Sequence, residues 1–541
     1  MRIGLAQINS SVGDIAGNIA LMKKYYAQAA EAGCDIIVFP EMSVCGYPPE
    51  DLLLKKHFLS EMRAALEKFA AECREKVVIA GFAEPHDGKC FNSLAVMQGG
   101  KIQNVYRKCL LPNYGVFDER RYFESGDEPL IIEIEGTAVA VTICEDIWRL
   151  DWLDGFLGKA KKELIVNISA SPFHTGKIHE RVKVLSECAK HFGCGLAYCN
   201  MVGGQDELVF DGQSMILDSK GAVAAKAKAF GEDLLVADIE GGGQAVKKIA
   251  GGEKAQTLDL ITEVYESLVL GTRDYVRKNG FGKVLIGLSG GIDSALTAVI
   301  AAEAIGAENV VGITMPSRFN SPETISDAEK IAKNLGIEFY NIPIGEVLGK
   351  FNDTLGAVDG WDDKGTAYEN LQARIRGTIL MSLSNQFSYL VLTAGNKSET
   401  AVGYSTLYGD SAGGFTVIKD VYKTLVYELS EYVNKSKGRE VIPVSVIRRA
   451  PSAELREGQM DSDSLPDYEI LDKILKGYIE LDKSVQELIA EGLPAEVVRR
   501  VVRMVDFNEY KRRQSPPGVK ISPKAFGKDR RMPITNRYRQ Q

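Results

Sequence analysis

Residues 283–302, KVLIGLSGGIDSALTAVIAA, contain a strand, a glycine-rich turn and the start of a helix in direct succession. Val284, Leu285 and Ile286 form an apolar run of the kind found in buried strands. The turn 287–294 follows, and 295–302 is a run of good helix formers. Glycines let backbone N–H groups approach an anion closely, and the helix N-terminus adds a partial positive charge. The stretch therefore predicts a cradle for a phosphate or pyrophosphate.

The turn differs from two common nucleotide-binding loops. It has no lysine, so it is not a Walker loop, and the spacing G-x-G-x-x-G of dinucleotide-binding turns is absent. The pattern S-G-G-x-D-S after a strand resembles the pyrophosphatase loop of enzymes that split ATP between its α and β phosphates. The alternative is a glycine turn that only begins an ordinary βα unit. The resemblance implies that Asp293 holds Mg²⁺ and that ATP contacts Gly287, Leu288, Ser289, Gly290, Gly291, Ile292, Asp293 and Ser294.

Length and composition favour a large soluble globular protein. A chain of 541 residues is too long for a single core and predicts two or more domains. Hydrophobic residues make up 45% and charged residues 26%, and no apolar run approaches the roughly 20 residues of a membrane helix. The formal net charge of −8 argues against general nucleic-acid binding. Because the first residues have a strand pattern and not that of a signal peptide, we expect cytoplasmic localisation and no membrane partner.

The distribution of Cys and His limits the chemistry of the phosphate-loop half. All nine Cys lie between Cys34 and Cys199, and all five His lie between His57 and His191. The later half must therefore use Lys, Arg, Asp, Glu, backbone amides and Mg²⁺. In the earlier half no paired C-x-x-C spacing occurs, which argues against zinc. An odd number of Cys without a signal peptide fits reduced thiols.

Residues 1–240 alternate between strand and helix patterns, which predicts sheets covered by helices. The strand candidates are RIGLAQI, DIIVFP, KVVIAGF, AVAVTI and ELIVNIS. Helical periodicity is found in NIALMKKYYAQAAEAG and in EDLLLKKHFLSEMRAALEKFAAECREK. Two later stretches, SLAVMQGGKIQNVYRK and QSMILDSKGAVAAKA, predict hairpins with Gly99-Gly100 and Lys220-Gly221 at their turns.

Three residues at strand ends form a chemically consistent set. Glu41 follows DIIVFP, Lys108 follows NVYR and Cys144 follows AVAVTI. A thiolate nucleophile, a carboxylate base and an ammonium that lowers the pKa of the thiol and stabilises an oxyanion would together cleave an amide through a thioester. Spacing alone does not bring the three together. Taken singly, a cysteine at a strand end is usually a small core residue, and a lone Glu or Lys is usually a solvated surface charge. Cys45 is a rival nucleophile, four residues after Glu41.

The segments FPEMSVCGYPPEDLL, YRKCLLPNYGVFDERRYF and ICEDIW resemble the three signature segments of the nitrilase superfamily. They are most similar to its glutaminase branch, in which this domain is fused to a synthetase. The resemblance implies an αββα sandwich and the catalytic triad Glu41, Lys108 and Cys144. It also implies a glutamine site with Tyr114, Ser171 and Lys177.

The second half begins after a glycine-rich stretch. Residues 241–258, GGGQAVKKIAGGEKAQTL, have little periodicity and predict a linker. LDLITEVYESLVLGTRDYVRKNG then predicts a long helix that ends at Gly280. Further strand–helix units predict a doubly wound parallel sheet that binds ligands at the carboxyl ends of its strands. There Arg318 and the turn AGNKSE are placed to meet a nucleotide, and the irregular segments 361–364 and 404–414 are either mobile lids or plain surface loops.

The motifs of this half resemble the ammonia- or glutamine-dependent NAD synthetases, in order and across the domain. They are GLSGGIDSALTA, YENLQARIRG, GNKSE, YSTLYGDSAGG, IKDVYKT, RRAPSAELREGQMDSDSLPDYEILD and NEYKRRQSPPG. The resemblance implies that ATP also contacts Lys423 and Ser452 and that Mg²⁺ lies at Asp293 and Glu399. Deamido-NAD⁺ would contact Asn370, Glu399, Asp410 and Lys511. One position departs from the family, which often has Thr before GNKSE; here Ala394 stands there, with Thr393 one place earlier.

The two resemblances together predict an α/β protein with a nitrilase-like glutaminase domain over 1–240, a linker over 241–258 and a synthetase domain over 259–541. In the implied reaction ATP adenylates the nicotinate carboxylate of deamido-NAD⁺. Ammonia from glutamine, delivered by an internal tunnel, then displaces AMP. The expected products are NAD⁺, AMP, pyrophosphate and glutamate, and the resemblance also implies a homo-oligomer.

Rival functions are disfavoured by particular residues. Asparagine synthetase uses an N-terminal Cys nucleophile, whereas this chain begins Met1-Arg2, and GMP synthetase uses a different glutaminase with a catalytic His. A tRNA-thiolating enzyme with this loop would need a Cys in the nucleotide half. A non-catalytic nucleotide-binding regulator would not need Glu41, Lys108 and Cys144 intact.

Overall fold

The structure is a computed structural model that describes residues 1–241, 246–538 and 540. The chain divides into two compact units, Met1–Leu260 and Ile261–Gln541. Within the described residues no sheet is shared between the units, and each unit has its own clusters of buried apolar side chains.

The first unit is built on two main sheets. Its strands are β1 (Arg2–Gln7), β2 (Ile36–Val38), β3 (Val77–His86), β4 (Lys89–Gln98), β5 (Lys101–Arg107), β6 (Leu130–Ile134), β7 (Thr137–Ile143), β8 (Leu164–Ser169), β9 (Gly195–Asn200), β10 (Val202–Gln205), β11 (Leu208–Asp211), β12 (Met215–Leu217), β13 (Val223–Lys226), β14 (Asp233–Gly241) and β15 (Val246–Ala250). One sheet has the order β15-β14-β1-β2-β3-β4-β5 and the other has the order β13-β12-β9-β8-β7-β6, while β10 and β11 form a separate hairpin. β1, β2 and β3 run parallel, as do β7, β8 and β9.

Helices cover the outer faces of both sheets. They are α1 (Ile15–Glu31), α2 (Lys56–Glu72), α3 (Leu150–Leu157) and α4 (Lys177–Phe192). Alternation along β2 explains the layering, because Ile37 packs against the side of α1 and α2 whereas Ile36 and Val38 pack against the other sheet. The other sheet packs likewise against α3 and α4. The result is the αββα sandwich that the sequence predicts.

The second unit is a parallel sheet with helices around it. Its strands are β16 (Val284–Gly287), β17 (Val310–Thr314), β18 (Glu338–Asn341), β19 (Leu390–Thr393) and β20 (Phe415–Thr416), in the order β18-β17-β16-β19-β20. Its helices are α5 (Leu260–Lys278), α6 (Ile292–Ile305), α7 (Pro322–Leu335), α8 (Gly345–Leu355), α9 (Thr366–Phe387), α10 (Lys397–Val402), α11 (Lys423–Lys437), α12 (Val444–Arg448), α13 (Tyr468–Leu475), α14 (Val485–Ala490), α15 (Ala495–Phe507) and α16 (Glu509–Arg512). Strand order reverses between β16 and β19, which is the position where doubly wound sheets bind ligands. The predicted parallel doubly wound sheet is confirmed.

Two predicted segments differ from the structure. The predicted helix after Glu50 is interrupted at Lys55, because residues 50–54 form a 3₁₀ turn and Lys55 is extended before α2 begins. Within the predicted linker 241–258, Val246–Ala250 forms β15, which pairs with β14 at the edge of the first sheet. An edge strand needs hydrogen bonds on one side only, so a glycine-rich segment with weak periodicity suffices. Residues 242–245 of that prediction lie outside the described residues.

Candidate active sites

Glu41 is held in the first unit by a close approach of two backbone segments. It follows β2 at a turn where Met42 has a positive φ of 51°. Gly81 of β3 lies directly beside this turn, and a Cβ added there would stand 2.4 Å from the Met42 nitrogen and 2.7 Å from the Glu41 Cα. The side chain is completely buried, and its Oε1 accepts hydrogen bonds from Asn92 Nδ2 at 2.7 Å and Lys108 Nζ at 2.8 Å. These contacts orient the carboxylate towards the end of β5.

Lys108 lies between two buried carboxylates. Its Nζ donates to Glu41 Oε1 and to Glu119 Oε1, the latter at 2.9 Å, and Tyr47 donates its hydroxyl to the same Glu119 oxygen at 2.9 Å. Burial disfavours the charged amine, but Glu119 and Glu41 outweigh this effect and raise the pKa of Lys108 well above its ordinary value. Burial raises the pKa of Glu119 to about 7, against the opposing charge of Lys108. The sequence analysis missed Glu119, although it stands inside the quoted segment YRKCLLPNYGVFDERRYF.

Cys144 is the first residue of a 3₁₀ turn, Cys144–Trp148, directly after β7. It is buried and has a positive φ of 43°, which is an uncommon backbone conformation for a residue other than glycine. Burial and the charge of Glu41 raise the pKa of its thiol well above the ordinary value, and Lys108 acts in the opposite direction. Lys108 thus lowers the pKa of the thiol, as expected, but burial and Glu41 outweigh this effect. A protonated thiol whose pKa is raised by a nearby carboxylate suits proton transfer to Glu41 during attack.

Two of the three predicted glutamine-binding residues, Tyr114 and Lys177, contact the same turn. Tyr114 donates its hydroxyl to Glu145 Oε2 at 2.8 Å and is 58% exposed. Lys177 begins α4, donates to Glu180 Oε2 at 2.9 Å and lies 4.4 Å from the ring centre of Trp148. Ser171 is buried, and its hydroxyl accepts from Arg181 Nη2 at 3.4 Å.

Glu145 interacts with Tyr114, Lys177 and Lys108, and the sequence analysis missed it. Burial raises the pKa of Glu145, whereas the hydrogen bond from Tyr114 and the charges of Lys108 and Lys177 oppose the shift. The carboxylate of Glu145 can bind an ammonium group, and the nearby Lys177 can bind a carboxylate. These are the two charged groups of an α-amino acid. The sequence signal was its position next to Cys144 in ICEDIW.

The glycine-rich turn of the second unit forms one wall of a cavity of about 380 Å³, and all eight residues 287–294 line it. Gly290 has a φ of 84°. The hydroxyls of Ser289 and Ser294 lie 3.0 Å apart, and Ser289 Oγ accepts from the Gly291 nitrogen at 3.2 Å. The two hydroxyls thus brace the turn, and α6 begins at its end with its N-terminus at the cavity.

Two carboxylates face one lysine across this cavity. Lys423 Nζ donates to Asp293 Oδ2, and to Glu399 Oε1 at 3.1 Å. Asn396 holds both sides of the pair, because its Nδ2 donates to Asp293 Oδ1 and its Oδ1 accepts from the Glu399 nitrogen, each at 2.9 Å. Burial raises the pKa of Glu399 to about 7; Lys423 lowers it, and Asp293 and Asp461 add to the increase.

Most of the other predicted nucleotide residues also reach the cavity. Ser452, Asp410 and Lys511 line it. Asn370 does not line the cavity but is linked to Asp410 through Thr406. Its Oδ1 accepts from Thr406 Oγ1 at 2.7 Å, and the Thr406 nitrogen donates to Asp410 Oδ1 at 2.8 Å.

Thr393 and Ala394, the position that departs from the family pattern, both line the cavity. The Thr393 hydroxyl lies 2.7 Å from that of Thr416 on the neighbouring strand. Thr393 is the last residue of β19 and Ala394 lies just beyond the strand, so the strand alternation expected between them does not extend to residue 394.

An arginine that the sequence analysis did not single out lines the cavity. Arg318 is exposed, lies over the ring of Phe319 and is not among the lining residues, so its contact with a nucleotide stays a prediction. Arg376 of α9 lines the cavity instead and donates to Met315 O at 2.9 Å and Asn320 Oδ1 at 3.2 Å. Burial lowers the pKa of Arg376 to about 10, with Glu454 and Asp410 opposing the shift. A guanidinium in this position suits a phosphate group.

Of the two irregular segments predicted as lids or loops, only 404–414 contributes residues to the wall of the cavity. Residues 404, 405 and 409–412 line it, whereas Trp361 donates its Nε1 to Asn352 Oδ1 at the end of α8, among residues outside the lining. Residues 449–455 form another part of the wall. Over the residues that the structure describes, no helix combines the length and apolar character needed to cross a membrane.

Comparisons with known proteins match both units. A family model described as carbon-nitrogen hydrolase matches residues 2–248, and one described as NAD synthase matches residues 264–515. A glutamine-dependent NAD(+) synthetase from Thermotoga maritima is 47% identical, with 100% of this chain and 99% of the relative covered. One from Acinetobacter baylyi is also 47% identical, with 99% of each chain covered.

Solved structures agree over the whole chain. The structure of glutamine-dependent NAD⁺ synthetase from Acinetobacter baumannii in complex with ADP has 43% identity and a TM-score of 0.79, with 99% of this chain and 98% of that chain covered. The fold is also that of a Cytophaga hutchinsonii synthetase, with a TM-score of 0.85 at 22% identity and the same coverage. The chain therefore belongs to the glutamine-dependent NAD(+) synthetases, ligases that make NAD⁺ with nitrogen from glutamine.

Proposed function

We propose that Cys144 attacks the side-chain amide of glutamine and that Glu41 accepts the thiol proton. The sulfur forms a bond to the amide carbon, and Lys108 stabilises the oxygen that becomes negative. The C–N bond then breaks, and ammonia leaves with the proton from Glu41. Water attacks the thioester and releases glutamate, with Glu41 as the base again. The observation that carries this proposal is the buried Glu41–Lys108 pair beside the Cys144 turn.

Recognition of glutamine is assigned to the polar residues around this turn. We propose that Glu145 binds the α-ammonium group and Lys177 the α-carboxylate. Tyr114 holds Glu145 through its hydroxyl, and Ser171 forms a further polar wall. Opposite charges at one end of the pocket would select an amino acid over a simple amide.

In the second unit we propose that ATP and deamido-NAD⁺ react in the cavity at the end of β16. The turn 287–294 holds the phosphates, with Lys423 and Ser452 as further ATP contacts, and Arg376 is added as a phosphate contact. Asn370, Glu399, Asp410 and Lys511 are assigned to deamido-NAD⁺. The nicotinate carboxylate attacks the α-phosphate and pyrophosphate leaves. Ammonia then attacks the acyl adenylate, and AMP leaves to give the carboxamide.

Magnesium is assigned to Asp293 and Glu399. Their oxygens converge on Lys423 Nζ, so two carboxylates already face a common position, and carboxylate oxygen is the ligand that Mg²⁺ prefers. Within the described part of the chain no group of three or more His, Cys, Asp or Glu side chains is arranged as a metal site. The two carboxylates thus fit an ion that takes its remaining ligands from ATP phosphates and water. When bound, the ion would neutralise negative charge on the phosphates.

Ammonia is proposed to pass internally from Cys144 to the adenylate. Near neutral pH free ammonia is mostly ammonium, which is not a nucleophile, so release to solvent would waste the product. The test is to supply glutamine labelled with ¹⁵N in the amide together with excess unlabelled ammonium. NAD⁺ that keeps the label supports internal transfer, and label diluted in proportion to the ammonium contradicts it.

The central experiment compares glutamine with ammonium as nitrogen donor. Cys144→Ala should abolish NAD⁺ formation from glutamine and spare formation from ammonium, because only the deamidase step uses the thiol. Asp293→Ala should abolish formation from either donor. Glutamine-dependent synthesis in Cys144→Ala, or synthesis from either donor in Asp293→Ala, would contradict the assigned roles.

We further propose a cytoplasmic homo-oligomer. All nine cysteines are free thiols, which suits a reducing compartment. Val347, Phe351 and Phe387 are large exposed apolar side chains of the second unit, which suits burial against another copy. Sedimentation analysis of the purified chain at micromolar concentration tests the assembly.

A further inference from the structure

Asp146 is a completely buried carboxylate to which four protein groups donate hydrogen bonds. Oδ1 accepts from the backbone nitrogens of Cys109 at 3.1 Å and Leu110 at 2.8 Å. Oδ2 accepts from the Ile143 nitrogen at 3.0 Å and from the Tyr106 hydroxyl at 2.9 Å. The donors therefore come from two different parts of the chain.

Those two parts carry two members of the proposed triad. Cys109 and Leu110 directly follow Lys108 at the end of β5, whereas Ile143 directly precedes Cys144 at the end of β7. β5 belongs to one sheet of the sandwich and β7 to the other. One carboxylate thus joins the backbone beside the ammonium to the backbone beside the nucleophile, across the two sheets.

We propose that Asp146 is a positioning residue that sets the placement of Lys108 relative to Cys144, and through it the deamidase rate. The proposal rests on the triad proposed above. Among the residues that the structure describes, Asp146 forms no hydrogen bond with the Cys144 thiol or the Lys108 ammonium, so its effect passes through the backbone of their neighbours.

Only a carboxylate meets the demands of this position. Each oxygen receives two donors and has two lone pairs, so an ionised Asp is fully matched. In Asp146→Asn the new NH₂ group would face two donors and leave them without an acceptor. The turn and the strand end would then separate, and a displacement of about 1 Å in a reacting group can cost about 10²-fold in rate.

The main test measures both activities of the same full-length chain. Asp146→Asn should lower kcat for glutamine hydrolysis about 10²-fold with a smaller change in KM, and leave NAD⁺ formation from ammonium within about twofold. Ammonium-dependent synthesis is thus an internal control for folding of the second unit.

The matched control is Asp218→Asn. Asp218 also accepts two backbone N–H groups, from Lys220 at 2.9 Å and Ala222 at 2.8 Å, but in the exposed turn between β12 and β13. The same chemical change should leave glutamine hydrolysis within about twofold of the unaltered chain. An Asp146→Asn rate within threefold of that control would overturn the proposal.

A pH profile separates positioning from loss of a negative charge. The rate of Cys144 alkylation by iodoacetamide reports the thiolate, whose pKa Lys108 lowers and Glu41 raises. If Lys108 moves away, the profile shifts to higher pH; if only a nearby negative charge is lost, it shifts to lower pH, and that result would overturn the proposal. The other charged or titratable groups that act on this thiol, or that it acts on, are Glu119, Glu145, Arg181, Tyr47, Tyr114 and Tyr198.

A milder variant decides the question if Asp146→Asn lowers both activities. Tyr106→Phe keeps the buried ring and removes one donor of the four, so several-fold slower hydrolysis and the same direction of shift are expected. Unchanged kinetics and an unchanged profile in Tyr106→Phe would then count against positioning. Failure of the triad itself is distinguishable, because Cys144→Ala would in that case still hydrolyse glutamine.

Discussion

At the scale of single residues, burial and neighbouring charges determine which protonation state each residue of the proposed triad holds. Lys108 stays charged because Glu41 and Glu119 outweigh the cost of removing the ammonium from water. Cys144 stays neutral because burial and Glu41 outweigh Lys108. In the deamidase reaction proposed above, the thiol would start protonated near a carboxylate, and the ammonium would be available for the oxyanion.

Glu119 provides a pH-dependent test of this balance. Its folded-state pKa of about 7 lies above the ordinary value of 4.5, so between these values the folded protein holds a proton that the unfolded chain has released. The contribution of Glu119 to stability is thus complete below pH 4.5 and is lost as the pH rises through 7. Glu119→Gln cannot titrate, so its melting temperature should fall less than that of the unaltered chain between pH 5 and about 7.5.

Differential scanning calorimetry at several pH values measures the difference. Glu61→Gln, at an exposed position of α2, is the control and should follow the unaltered chain. Parallel pH curves for Glu119→Gln and the control would show that Glu119 does not titrate in this range.

At the scale of elements, both sites lie where strands end. Glu41, Lys108 and Cys144 follow β2, β5 and β7, and the phosphate turn follows β16. A sheet fixes the backbone up to its last hydrogen bond, so a side chain just beyond it is well placed and still faces a pocket. Turn geometry then determines whether the pocket keeps its shape.

Gly290 tests the turn after β16. Its φ of 84° disfavours other residues, and an added Cβ would stand 2.1 Å from the Thr324 carbonyl oxygen. Gly290→Ala should therefore displace the turn and lower NAD⁺ formation from both nitrogen donors about 10²-fold, while basal glutamine hydrolysis persists. Steady-state assays with each donor measure this.

The control for Gly290→Ala is Gly336→Ala at the end of α7. Gly336 has a φ of 71° and open space where a Cβ would stand. Gly336→Ala should therefore cost only the roughly 1 kcal/mol of placing an alanine at positive φ, and it should leave the rate of NAD⁺ formation near normal. Equal rates for the two variants would mean that the close contact with Thr324 is unimportant.

At the scale of the whole molecule, each unit has its own core and its own buried ionic network. In the second unit, Lys397 is completely buried, and its Nζ lies 2.8 Å from both Asp420 and Glu480 and donates to Ser522 Oγ at 2.6 Å. These partners connect α10 to the segment after β20, to the π-helical segment Lys476–Glu480 that follows α13, and to the C-terminal region. The network therefore ties sequence-distant parts of one unit together.

Lys397→Met should destabilise the second unit selectively. It leaves Asp420 and Glu480 buried without their cation, which typically costs about 3–5 kcal/mol. Calorimetry should show a lower melting transition, and ammonium-dependent synthesis should be lost at a lower temperature than basal glutamine hydrolysis.

An exposed pair gives the comparison for Lys397→Met. Lys437→Met removes the surface pair with Glu303, at 2.6 Å, and should cost less than about 1 kcal/mol. Simultaneous loss of both activities in Lys397→Met would contradict selective destabilisation of one unit.

Motif order and local pattern were enough to predict a large part of this protein. The strand–turn–helix of residues 283–302, the two hairpins, α5 and the αββα sandwich are confirmed, and the family motifs named the reaction. Such features depend on residues a few positions apart: side-chain period, turn-forming glycines and helix-forming runs act locally. The site residues themselves remain proposals, which the geometry of Glu41, Lys108 and the residues that line the cavity supports.

Tertiary structure alone decided which polar residues meet. Glu119 and Glu145 lie in the candidate deamidase site, and Arg376 lines the nucleotide cavity. Arg318 is exposed, and residues 246–250 form an edge strand. It also decided that the Cys144 thiol has a raised pKa, although the sequence correctly placed an ammonium in the same set. The physical reason is that burial and contacts between sequence-distant residues determine charge state and proximity, and neither quantity is encoded in local spacing.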